Sequence, residues 1–287
     1  MRDFREILVI SGKGGTGKTT LSASFALLDP PKVVVDADVD APDLHILLKP
    51  QVVEAQIFMG GKVAKIDEDK CTQCGICREL CRYDAIGEEF RVDPVACDGC
   101  ALCYFACPQD AVNLKEEEAG VWFLSQARSG PMTHARLHPG QENSGKLVTV
   151  VRNRAKELAR EESYGLILID GPPGIGCSVI SSMTGVDQVL VVTEPTPSGQ
   201  HDLERVVGLA ANFQTRVQVC INQYDINPQR AREIEEWCGS HGLEVVGKIP
   251  FSPEVPRLQV QEKTPVDGDG EMGQLLKDLW EKVLEGE

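Results

Sequence analysis

Eight of the chain's 11 cysteines fall between positions 71 and 107, in two runs of the same spacing. Cys71, Cys74, Cys77 and Cys81 form the first run, and Cys97, Cys100, Cys103 and Cys107, followed by Pro108, form the second. Each reads C-x2-C-x2-C-x3-C. In that spacing, three thiolates of one tight loop hold three irons of a cubane and the fourth reaches a neighbouring cluster. The pattern predicts two 4Fe-4S clusters with exchanged fourth ligands. Cys71, Cys74, Cys77 and Cys107 would hold one, and Cys97, Cys100, Cys103 and Cys81 the other. Disulfides fit poorly because they belong to oxidising compartments. Structural zinc fits poorly because its sites pair two C-x2-C knuckles across a longer spacer. Arg82 stands where the first run lacks the proline that closes the second.

A chain of 287 residues is too long for the cysteine segment alone, and suffices for about two domains with a substantial core. Its formal charge of -15 repels phosphodiester backbones, which argues against nucleic acid and for protein partners or electron carriers. No stretch approaches the about 18 consecutive apolar residues of a membrane span. The N-terminus runs into a strand pattern without a signal-peptide layout, so we expect a cytoplasmic protein.

Residues 6–11, EILVIS, lead into GKGGTGKT at 12–19. This is a complete G-x-x-x-x-G-K-[ST] loop between a strand and a helix. Its backbone N–H groups would wrap a β-phosphate, Lys18 would neutralise the β and γ oxygens, and the Thr19 hydroxyl would meet Mg²⁺. The expected ATP-binding set is Gly12, Gly14, Gly15, Thr16, Gly17, Lys18, Thr19 and Thr20. KGGTGKT, with its early Lys13, resembles the deviant Walker A motif of the MinD, ParA, ArsA and nitrogenase iron-protein superfamily. That resemblance implies an ATP-dependent dimer in which Lys13 reaches the other subunit's nucleotide. Residues 62–115 resemble the bacterial two-cluster ferredoxins. The expected organisation is a discontinuous P-loop ATPase domain, 1–59 and 116–287, interrupted by a small α+β ferredoxin-like domain at 60–115.

The remaining segments alternate between buried-strand patterns and helices, which predicts an α/β fold with a doubly wound, mostly parallel sheet. Residues 32–36, KVVVD, end in the acidic stretch Asp36, Asp38 and Asp40. By resemblance this is switch I, with Asp38 orienting the attacking water, while Asp40 is either functional or a helix cap. Residues 165–170, GLILID, end in Asp170, placed to hold Mg²⁺. The following DGPPGIGC resembles switch II of the Mrp-type cluster carriers, with Cys177 where that pattern has aspartate. Cys177 is therefore either a metal ligand or a small buried thiol at a helix start. Cys220 and Cys238 read as core residues. Asn222 and Pro250 match, in part, the family's adenine-facing loops. Residues 128–146 read as a long functional loop, with His134 and His138 as partner contacts or plain surface. The amphipathic helix at 271–285 has an acidic polar face and is expected to pack on the sheet rather than on a membrane.

Three functions follow from these motifs. The first is an ATP-dependent assembly or carrier factor that passes iron–sulfur or mixed-metal clusters to a client metalloprotein. The second is an ATP-gated reductase acting on a redox partner. The third is a positioning ATPase whose clusters are structural. The dimer would be formed with a second copy or with a related ATPase.

Overall fold

The computed structural model describes residues 4–141 and 144–285. It divides into two compact units, one comprising Met1–Gln56, Trp122–Arg136 and Ser144–Glu287, the other Ile57–Val121 and Leu137–Asn143. The chain passes between them inside long strands. Among the described residues the strands are β1 (Arg5–Ser11), β2 (Val33–Asp36), β3 (Gln51–Ile66), β4 (Val112–Ala127), β5 (Gly130–Leu137), β6 (Leu166–Pro173), β7 (Gln188–Thr193), β8 (Arg216–Asn222) and β9 (Glu244–Ile249).

The strand order is β3-β4-β5-β2-β6-β1-β7-β8-β9. From β5 to β9 all neighbouring strands pair in parallel, as expected of apolar β-branched runs joined by helices. Strands β1, β2, β6 and β7 are buried almost throughout, and their Val, Ile and Leu side chains supply much of the core. β1 lies between β6 and β7, which leave it toward opposite edges of the sheet. The carboxyl end of such a strand is a topological switch point, where α/β sheets open a crevice for ligands.

Helix Lys18–Ala26 follows β1 and is buried on nearly every face. The helix Glu271–Leu284 is amphipathic and turns Leu276, Leu279, Trp280 and Val283 inward. Trp280 is 2% exposed, stacks on Phe25 with ring centroids 4.8 Å apart, and donates its indole N–H to the Asp29 carbonyl at 2.7 Å. This helix therefore packs into the larger unit, as its acidic polar face led us to expect.

The boundary expected at position 60 falls within a strand, because β3 runs straight through Gly60 and Gly61. Gly60 is small because a side chain there would meet the Ala119 Cβ at 2.5 Å and the Phe58 ring at 2.6 Å. Residues 128–146 are not one long loop, since β5 occupies most of their first half. Its Thr133 is fully buried and spends its hydroxyl on the Val151 carbonyl at 3.1 Å, so a polar residue sits where an apolar alternation would have marked the strand.

Trp280→Ala should lower unfolding stability by about 3–5 kcal/mol, the usual cost of removing a buried indole. Denaturant titration followed by far-UV circular dichroism checks this.

Candidate functional site

The loop 12–17 connects β1 to helix Lys18–Ala26 at the carboxyl edge of the sheet. Gly17 caps that helix at φ 86°, in the left-handed region. A side chain there would lie 2.4 Å from the Asn222 Nδ2. The space is taken because that amide donates to the Thr16 carbonyl at 2.8 Å, tying the end of β8 to the loop. Lys18 Nζ lies 2.9 Å from the Asp170 Oδ1 and 3.2 Å from the Thr19 hydroxyl, and Ser22 donates to the same carboxylate oxygen at 2.7 Å. Asp170 and Lys18 are 1% and 6% exposed.

Asp36, the β2 residue in register with Asp170, is also 1% exposed. It accepts the Asp38 N–H at 3.1 Å and the Leu44 N–H at 3.3 Å. The second bond holds the start of helix Leu44–Leu48, whose cap position is Asp43 and not Asp40. Burial, reinforced by Asp170, pushes the Asp36 carboxyl well above the ordinary range. Burial likewise raises Asp38 to about 6, opposed by Lys18 and helped by Asp170. Burial by itself would lower Lys18, but Asp170, with Asp36 and Asp38 beyond it, outweighs that and raises it, so the amine stays charged.

A cleft of about 500 Å³ opens above these groups, within the size range of small-molecule sites. Of the residues expected from sequence, Gly14, Gly15, Thr16, Gly17, Lys18, Thr19, Thr20, Asp38, Asn222 and Pro250 line it. Asp170 lies beneath Lys18. Lys13 is turned away, ion-paired with Glu194 and within 3.1 Å of the Ser198 hydroxyl. Thr196 caps Pro197–Ala210, accepting from the Gly199 N–H at 2.9 Å.

The second unit sorts the eight clustered cysteines into two groups of four. One cavity is lined by Cys71, Cys74, Cys77 and Cys107, with Ile66 and Val112 among its apolar walls. The other is lined by Cys81, Cys97, Cys100 and Cys103. The exchange follows from two short helices. Ile76–Leu80 carries Cys77 and is followed at its end by Cys81, and Leu102–Ala106 carries Cys103 and is followed by Cys107. Each helix thus has a thiol of one group within it and a thiol of the other at its end. Among the described residues no three His, Cys, Asp or Glu side chains converge on a point that would hold one metal ion. A cubane makes a different demand, since its four thiolates each bond a separate iron. Four sulfurs around one cavity satisfy the donor set of that group.

Cys177 begins helix Cys177–Met183 and is exposed, which removes the reading of it as a packed core thiol. Cys220 and Cys238 are buried, and burial pushes their thiols up to about 12 and about 11. His134 is not plain surface. It stacks on Phe123 at 4.9 Å, and its Nε2 lies 2.9 Å from the Ser125 hydroxyl. Burial lowers it to about 4, so it is neutral at pH 7.

Residues 7–266 match the model of the CobQ/CobB/MinD/ParA nucleotide binding domain. The chain belongs to this family. It is 32% identical over 284 residues to the uncharacterized protein MJ0578 of Methanocaldococcus jannaschii, covering 98% of this chain and 96% of the relative. It is 26% identical over 232 residues to MJ0579 of the same organism, covering 79% and 83%. The septum site-determining protein MinD of Bacillus subtilis is 24% identical over 207 residues, covering 71% and 58%. Among solved structures, MinD of Pyrococcus horikoshii complexed with Mg-ADP superposes with a TM-score of 0.60 at 17% identity, covering 98% of this chain and 96% of that one. The likeness to that structure is one of fold.

Within this MinD/ParA-type ATPase fold, four residues make contacts that their places in the sequence signal only in part. Asp36 stands as the strand-terminal acid two residues before Asp38. Glu194, at the end of β7, carried the same signal beside a strand that neighbours β1. Ser22 lies one helical turn beyond Lys18. Gln259, which donates to the Thr20 hydroxyl at 2.7 Å, has no local signature at all. No helix among the described residues is long and apolar enough to cross a membrane.

The raised carboxyl of Asp38 has a stability consequence. Its folded value, about 6, lies above the unfolded value, so the folded form binds more protons between those limits. Stability of the nucleotide-free protein therefore falls as pH rises toward 6 and levels off above it. Asp38→Asn should raise the melting temperature by a few degrees at pH 7.5 and much less at pH 4.5. Thermal melts across that range, compared with the parent, check the sign.

Proposed function

We propose that the chain is an ATP-hydrolysing iron–sulfur protein, an assembly or carrier factor in which nucleotide state controls delivery of an iron–sulfur or mixed-metal cluster to a client metalloprotein. The observation that carries this reading is the sorting of eight cysteines into two groups of four in a chain of the MinD/ParA family. Cys71, Cys74, Cys77 and Cys107 would hold one 4Fe-4S cluster, and Cys81, Cys97, Cys100 and Cys103 the other. Such clusters supply one-electron chemistry and exchangeable iron–thiolate bonds.

For ATP, the glycine-rich loop supplies backbone N–H groups and Lys18 a buried positive charge for the β and γ phosphates. The Thr19 hydroxyl and Asp170 would hold Mg²⁺, which neutralises developing phosphate charge. Asp38, at the mouth of the cleft, accepts a hydrogen bond from the attacking water and orients it. Asn222 and Pro250 stand where a base would lie. Lys13 leaves Glu194 and Ser198 to reach the nucleotide of a second subunit, either another copy or a related ATPase. Resemblance to both MJ0578 and MJ0579 is compatible with either pairing.

A second reading, ATP-gated electron transfer to a redox partner, draws support from the two short helices, because each links one cysteine group to the other within a single turn. Anaerobic reconstitution separates the two. About eight irons per chain are expected from the doubled motif. Transfer of cluster to an apo-acceptor on ATP addition supports delivery. Oxidation of pre-reduced protein by a partner with all iron retained supports electron transfer. Uptake of zinc in preference to iron would overturn both and leave a positioning ATPase.

Lys18→Ala should abolish turnover, and Asp38→Ala should leave ATP bound but unhydrolysed. Lys13→Ala should keep nucleotide affinity while turnover falls by roughly 10²–10³-fold, the usual loss for one charge-stabilising donor. A fully active Lys13→Ala protein would refute the cross-subunit role. Phosphate release and equilibrium binding of a labelled nucleotide give the two readouts.

A further inference from the structure

We infer that the two cysteine groups are unequal: Cys81, Cys97, Cys100 and Cys103 form the site that gives up its cluster as cargo, and the other group retains its own. This rests on the cluster reading above. The first group is held from several sides. Cys77 is 7% exposed and packs into a core cluster with Ala64, Ile66, Ile86 and Val112. The Cys71 sulfur accepts the Gln73 N–H at 3.4 Å, and the Cys107 sulfur accepts the Ala111 N–H at 3.3 Å. Moving these thiols means opening a packed core and breaking bonds to sulfur.

The second group also leans on that core through Cys81, Cys97 and Cys103, but none of its four thiols is buried. Cys97 and Asp98 line their own cage and also the wall of a separate cleft of about 450 Å³, shared with Lys62, Tyr83, Glu117 and Gln141. An incoming ligand can approach Cys97 through that cleft. Helix Leu102–Ala106, which carries Cys103, has no buried residue, and its Phe105 is 81% exposed. A five-residue helix without a buried face gives Cys103 little support of its own, even with Cys107 at its end staying in the retained group. The loop between Cys97 and Cys100 turns at Gly99, with φ 69° and the Lys62 carbonyl 2.1 Å from where a Cβ would stand. That turn is tied to the strand which forms the cleft.

Release by this route is ligand exchange. Each step forms one iron–thiolate bond to the client and breaks one to this chain. The proton lost by the client's thiol goes to the departing cysteine, and the cluster's electron count is unchanged.

The test uses the full chain, reconstituted anaerobically and then mixed with bathophenanthroline disulfonate and ascorbate, which reduces the ferric half of the released iron, with ferrous chelate followed by absorbance. We expect two phases of about four irons each, the fast one absent from Cys97→Ser/Cys103→Ser protein. Gln141→Trp, which narrows the cleft without touching a ligand, should slow the fast phase by about tenfold and leave total iron unchanged. Release of all iron in one phase, or a fast phase that survives in Cys97→Ser/Cys103→Ser protein, would overturn the inference while leaving the cluster reading intact. A protein that takes up no iron would overturn both.

Discussion

The ion pair of Lys18 and Asp170 is the interaction around which the larger unit is arranged. Both groups are almost wholly out of water, and taking each from solvent costs several kcal/mol unless a partner replaces the lost hydration. They meet only if β1 and β6 are parallel neighbours in the observed register, with Val9 opposite Asp170 and the phosphate loop folding back over the strand ends. Ser22 then satisfies the same carboxylate oxygen from the helix side, and Asp36 arrives from β2 as a second acid in line. One ammonium thus faces three carboxylates, of which Asp36 and Asp38 hold protons more tightly than usual. This surplus of negative charge is what a divalent cation would neutralise on entering with a nucleotide.

The smaller unit has little apolar area at its centre. Its core cluster of buried residues is small, and several of the partly buried groups packed against it are the cysteines themselves. Two five-residue helices, each too short to be stable alone, run between the two groups of cysteines.

Motifs whose physics is local were legible in the sequence. A phosphate loop needs its glycines, lysine and threonine within eight positions, and buried parallel strands such as those ending in Asp36 and Asp170 advertise themselves by continuous β-branched residues. What escaped notice depended on distant partners. β3 was hidden because Gly60 answers to Phe58 and Ala119 rather than to a turn, and β5 because Thr133 is satisfied by a carbonyl 18 positions away. Lys13 was read as a motif residue, but its ion pair with Glu194 depends on strand order, which no local pattern encodes. Cys177 left two readings open because exposure at a helix start is decided by how the helix packs.

The scant core of the smaller unit bears on the protein's lifetime in a cell. On the cluster reading proposed above, the segment's order would rest on thiolate ligation and would be lost when iron is scarce, while the larger unit has a continuous apolar sheet of its own. Chains made under iron starvation would then expose an internal stretch to proteases and be cleared quickly, and chains made with iron would persist. Abundance would follow metal supply by turnover alone, without any change in synthesis.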